Sequence, residues 1–214
     1  MFSYYLLTLL IVSSVFFIWL LERYIKNKNL KNIFWSLGFL FMSIAYGLNF
    51  YSDLMSWSVN IYKIYYFSSM VLVLLLGLGT AYIFQKKWKF YFLIYSILIS
   101  LIFAIFDFTS NVNYSLLLQD NLNSMPNLVV MLSLLLVIPG SIVLIIGAYY
   151  SAFKLRKNRD AIIYNSLIGT GALVYSAIGS AAMFNIYSLY YIGQLVGLLL
   201  MFIGFLKSIN VFKS

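Results

Sequence analysis

The stretch Ile61–Lys89, IYKIYYFSSMVLVLLLGLGTAYIFQKKWK, decides the architecture. A lone base, Lys63, stands at one end, and Lys86, Lys87 and Lys89 crowd the other. The apolar run between them is long enough to cross a bilayer core of about 30 Å at about 1.5 Å per helical residue. The same design recurs along the chain: apolar span, basic loop, apolar span, loop without bases.

The chain as a whole has the composition this stretch implies. Of 214 residues, 64% are hydrophobic and 9% charged, where a soluble domain carries roughly 25% charged residues. Such a chain has too few polar groups to cover itself in water, so lipid must be its solvent. In lipid the backbone must satisfy its own hydrogen bonds, which leaves helices or closed barrels. The runs are continuously apolar and do not alternate, which selects helices. The expected fold is therefore all-α and polytopic, one seven-helix membrane domain covering residues 1–214.

The spans are expected at about 4–21, 33–51, 61–85, 90–108, 127–153, 161–184 and 189–206. The first has bases after it and none before it, and no small-residue cleavage site follows. It therefore reads as a retained helix and not a secretory signal. Between spans four and five lies a polar stretch, TSNVNYSLLLQDNLNSMP, rich in turn formers, with Pro126 opening the next helix.

The bases sort by side. Arg23, Lys26, Lys28, Lys31, Lys86, Lys87, Lys89, Lys154, Arg156, Lys157, Arg159, Lys207 and Lys213 fall at one end of the spans, and Lys63 alone at the other. In short loops this bias sets orientation. It predicts an N-terminus outside, a C-terminus in the cytoplasm, and a multi-pass protein of the cell membrane. The net charge of +9 is thereby read as an orientation signal that touches anionic headgroups, with no nucleic-acid partner expected.

Cys and His are both absent. That removes thiol nucleophiles, imidazole relays and every Cys- or His-ligated metal, haem or cluster. No cofactor, metal site or catalytic residue is expected, and the protein is read as a non-enzyme.

Helix contacts in lipid need small residues that let backbones approach. Gly193, Gly197 and Gly204 share a face of span seven, and Gly169, Ala172, Ser176 and Ser180 a face of span six. On span three, Gly77 and Ala81 share a face with Lys63, and Gly79 lies nearly opposite. Span three should thus be contacted from two sides and lie near the centre. Pro139 removes a helix hydrogen bond and is expected to kink span five.

Five polar residues fall near the end opposite the basic cluster: Asn49 in span two, Asp53 in the following loop, Lys63, Asp107 at the end of span four, and Gln194 in span seven. They form the candidate polar pocket. Intramembrane ionisable groups are site candidates. The alternative is that Lys63 and Asp107 form a structural ion pair or snorkel to headgroups, while Asn49 and Gln194 bond neighbouring helices. The tyrosines and tryptophans at span ends, Trp57, Tyr62, Tyr65, Tyr66, Tyr190 and Tyr191 among them, read as interfacial belts.

The segment YKIYYFSSMVLVLLLGLGTAYIF resembles the third helix of a set of uncharacterised prokaryotic seven-helix membrane proteins. In that set a basic residue and tyrosines precede an apolar run closing in LGLGT-x-Y, matched here by Lys63, Tyr65, Tyr66 and Leu76–Tyr82. Lys63 stands where arginine is usual in that set. The resemblance implies the seven-helix fold and no activity. A retinal protein is excluded, because span seven has no lysine before Lys207. Two functions fit. One is a non-catalytic subunit, accessory or sensor that works through other membrane protein chains. The other is a small-solute transporter or channel using the polar pocket as an outer vestibule.

Overall fold

The computed structural model describes residues 3–82, 86–117, 124–183 and 187–210. They form α1 (Ser3–Asn27), α2 (Leu30–Met55), α3 (Val59–Ala81), α4 (Lys86–Thr109), the single turn α5 (Tyr114–Leu117), α6 (Asn127–Lys154), α7 (Arg159–Met183) and α8 (Tyr187–Asn210). Seven of these are long and apolar enough to cross a membrane, and no strand occurs among the described residues. The chain is an all-α, multi-pass membrane protein.

Most helices outrun their apolar cores, because flanking polar residues extend them and cap them. Asn29 accepts from the Lys31 N–H and opens α2, and Ser58 accepts from the Ile61 N–H and opens α3. The α2–α3 connection is only Ser56–Ser58, so Asp53, expected in a loop, lies in the last turn of α2. In the other direction, α3 ends at Ala81 and not at residue 85; residues 83–85 lie outside the described ones. The polar stretch after α4 is more than a turn. It contains α5, and its Leu117, Ser124 and Met125 are buried.

In the bundle, α1, α2, α3, α6, α7 and α8 neighbour one another in that order, and a lighter α1–α8 contact closes the ring. Helix α4 stands outside, against α3 and α6. Two apolar cores result. One joins α1, α2, α6, α7 and α8, with Phe16 stacked on Phe39 and edge-on to Phe202 and Phe205. The other joins α3, α4, α6 and the α5 region around Phe103, Tyr62 and Leu117. Helix α3 contributes to both. Its most apolar window is 67% buried, against at most 44% for any other span.

Glycines set these approaches. A Cβ on Gly77 would stand 2.5 Å from the Gly140 carbonyl oxygen of α6, and one on Gly140 2.8 Å from the Val73 oxygen. Gly79 faces the other way, onto the Trp35 ring of α2. In the α7–α8 pair, Gly197 meets Gly171 backbone, Gly204 meets the Tyr164 carbonyl, and Gly193 meets the Ile178 side chain. Gly169 abuts Tyr149 and Ala148 of α6, Ser176 bonds Ser141 of α6 at 3.2 Å, and Ala172 and Ala81 are buried. The Ser180 side chain lies outside the described residues.

Helix α6 runs unbroken through Pro139. Proline offers no N–H to the carbonyl four residues earlier, that of Leu135. The Tyr95 hydroxyl of α4 donates to that oxygen at 2.5 Å. A neighbouring helix thus supplies the donor that the proline removes.

Candidate functional site

The five residues expected to form one pocket make no hydrogen bond or ion pair with one another among the described residues. Asp53 accepts a hydrogen bond from the Ser3 hydroxyl, which ties the end of α2 to the start of α1. Asn49 is buried within α2. The Lys63 ammonium donates at 2.9 Å to the Phe108 carbonyl, one of the orphan carbonyls in the last turn of α4. A cation is favourable there.

The expected Lys63–Asp107 ion pair is absent. Among the described residues the one ion pair is Lys26–Glu22, at 3.0 Å on the surface of α1. Lys63 is held by the carbonyl, while Asp107 turns into the α3–α4–α6 core. There it is fully buried beside Tyr62 and Tyr66, and neither carboxyl oxygen has a hydrogen-bond partner.

Gln194 belongs to a different cluster. Its Oε1 accepts from the Tyr46 hydroxyl at 3.1 Å, and Tyr46 shares a 2.8 Å bond with Tyr175. Tyr190 lies beside Tyr65 and Gln194. These hydrogen bonds link α2, α7 and α8 inside the bundle, with Tyr190 and Tyr65 of α3 beside them. These tyrosines, and Tyr62, Tyr66 and Tyr191 with them, are interior groups and not a lipid-interface belt. Each lies within about two and a half turns of a helix end, and position along the chain cannot separate an interfacial ring from a buried one there. Rotation of the helix about its axis decides, and packing sets that rotation.

A cavity with cations and amides in its lining lies at the opposite end, among the basic loops. It holds about 480 Å³ and is lined from five helices. Its cations are Arg23 at the end of α1, Lys31 at the start of α2 and Lys154 at the end of α6. Its amides are Asn27, Asn29, Asn32 and Asn165. Its apolar wall is Trp35, Tyr164, Ile168 and Phe205. No carboxylate is among the lining residues.

The local geometry prepares these groups. The Arg23 guanidinium lies 4.7 Å from the Trp19 ring centroid, and the Lys31 ammonium 5.8 Å from that of Trp35. Arg23 and Lys31 are close enough to repel each other. Asn165 and Asn32 are both 6% exposed, but they differ in bonding. Asn165 donates to the Ala161 carbonyl at 2.9 Å. The Asn32 side chain has no hydrogen bond to any described residue, and it borders the cavity. The arrangement can bind an anion, and no three acidic side chains that could hold a metal gather among the described residues.

This site escaped the sequence reading. One signal was present: Lys26–Asn32 reads KNKNLKN, amides interleaved with lysines where orientation alone requires only the lysines. Lys154 and Asn165 join it only through the fold. A second hollow of about 500 Å³ lies at the same end, lined by Tyr82, Lys87, Lys89, Phe90, Tyr91 and Leu93. Its described lining residues include no amide side chain, and Lys89 lies over the Tyr82 ring at 5.0 Å.

Comparison of the chain with protein-family models, with curated proteins and with solved structures found no match.

Proposed function

We propose that this multi-pass membrane protein acts by binding and not by catalysis, as a sensor or as an accessory subunit of a larger membrane assembly. Its basic end lies in the cytoplasm, and the membrane is the cell membrane. The observation that supports this reading is the acid-free, amide- and cation-lined pocket at the basic end. Such a site recognises charge and holds it. The connection from α6 to α7 is Leu155–Asn158, too short to fold into an output domain. In this reading a change in the pocket is passed on to another chain. Purification from native membranes in mild detergent tests the subunit form, with a co-purifying membrane chain at fixed stoichiometry as the expected result. A lone monomer with no companion would overturn it.

One observation favours a second reading, a small-solute carrier or channel. Asp107 is a fully buried carboxyl with no partner, and unpaired intramembrane carboxyls commonly lie on solute and ion pathways. That reading predicts solute or cation flux into reconstituted vesicles that falls at least about tenfold in Asp107→Asn, the loss of one interaction of about 1.4 kcal/mol. Flux no higher than in empty vesicles would remove it.

A further inference from the structure

We propose that the basic pocket is a site for a phosphate ester: Arg23, Lys31, Lys154 and Asn32 hold the phosphoryl oxygens, and the attached organic group lies against Trp35 and Tyr164. This rests on the reading of the pocket as a binding site and adds the chemistry of what it takes.

Three independent features point the same way. The first is charge. Three cations from three helices line one cavity with no acid among its described lining residues, and Arg23 and Lys31 repel each other. An anion between them relieves that repulsion and forms charge-assisted hydrogen bonds. Arg23 makes no hydrogen bond or ion pair with a described residue. Its stacking on Trp19 uses the guanidinium face and leaves the N–H edge for a ligand.

The second is the Asn32 amide, nine-tenths buried, at the cavity wall and without a side-chain partner among the described residues. Buried polar groups are almost always hydrogen-bonded, to protein, water or a ligand, so this one is open to a ligand oxygen. The third is size and lining. A cavity of about 480 Å³ lies within the range of small-molecule sites, roughly 300–1,000 Å³, and exceeds what a bare anion fills. Trp35 and Tyr164 give the remaining volume an aromatic wall. Three cations with amide donors match a phosphoryl group, with its several acceptor oxygens and up to two charges, better than a carboxylate with two oxygens and one charge.

The same chemistry is carried by an anionic phospholipid headgroup and by a soluble phosphate ester. Native mass spectrometry on the delipidated full-length protein in mild detergent separates them. The probes are short-chain phosphatidic acid for the lipid source and phenyl phosphate for the soluble one, with octanoate and benzoate as their carboxylate counterparts.

At least one phosphate probe should bind saturably and more tightly than its carboxylate counterpart, and which probe binds identifies the source. Arg23→Gln with Lys31→Gln should weaken it about tenfold or more, the loss of charge-assisted bonds. Asn32→Asp keeps the side-chain size, reverses the electrostatics and should do the same. Lys87→Gln with Lys89→Gln removes equal charge from the neighbouring hollow and should change binding less than about twofold. An equal loss in that control would show general headgroup attraction and overturn the site. Carboxylates binding as tightly as the phosphates would overturn the phosphate assignment and leave the binding-protein reading standing. No saturable binding of any probe by the unmutated protein would overturn both.

Discussion

The Tyr95 hydroxyl and the Leu135 carbonyl show how one residue's chemistry depends on another's. Pro139 leaves that carbonyl without its helical donor, and Tyr95 of α4 supplies one. Interhelical hydrogen bonds in membranes are worth about 0.6 kcal/mol on average and up to about 1.7. Tyr95→Phe should therefore destabilise by about 1 kcal/mol in a detergent unfolding titration. In a Pro139→Ala background, the new alanine offers its own N–H to the Leu135 carbonyl, and the same Tyr95→Phe change should cost little. A double-mutant cycle reads this coupling, and a cycle that closes at zero would remove the Tyr95–Pro139 link. At this scale the sequence revealed Pro139 at once. Tyr95 was invisible because nothing in its neighbourhood in the chain marks it as facing α6.

At the scale of the element, α3 is the helix on which both cores depend. Its close approach to α6 occurs where Gly77 and Gly140 meet backbone to backbone, and Gly79 leaves room for Trp35 on the other face. Trp35 uses that room to donate from Nε1 to the Leu76 carbonyl at 3.1 Å, which joins α2 to α3. Gly77→Ala should cost about 1–3 kcal/mol, since the clash is with backbone that cannot rotate away. Gly47→Ala on α2 is the contrast. There the nearest atom to a new Cβ is Leu10 Cδ1 at 3.7 Å, an ordinary contact, and the gain in helix propensity should stabilise by up to about 1 kcal/mol. Thermal unfolding of the two variants side by side checks both signs. The small-residue faces of α3, α7 and α8 could be read from periodicity. Their partners could not, because a face has no address. Gly140 is one such case, marked in the sequence only by its place beside Pro139.

For the whole molecule, the asymmetry of charge is the dominant fact. Thirteen of the fourteen bases flank the spans at one end. The chain contains no cysteine, so single introduced thiols report topology without background. With the basic end in the cytoplasm, Met55→Cys, at the exposed end of α2, should react with a membrane-impermeant maleimide in intact cells. Lys157→Cys, in the α6–α7 connection, should react only after permeabilisation. The reverse pattern would invert the orientation. The same asymmetry brings Arg23, Lys31 and Lys154 together around one cavity.

The sequence by itself determined the solvent, the secondary structure and the number of crossings. Those follow from local sums: apolar length against bilayer thickness, backbone hydrogen bonds that lipid will not satisfy, and bases collected at span ends. It also displayed the small-residue faces, since a helical repeat is local too. The tertiary structure alone decided which polar groups meet. Lys63 and Asp107 have opposite charges and similar depth, and still do not pair. The end of α4 offers Lys63 a carbonyl, and the α3–α4–α6 core encloses the carboxyl. Asn32 and Lys154 are far apart in the chain and line one cavity because the start of α2 and the end of α6 lie at the same level. Helix rotation and neighbour choice are set by packing over the whole bundle, with no local signature, and those two quantities separate an interfacial tyrosine from a buried one and a topology signal from a binding site.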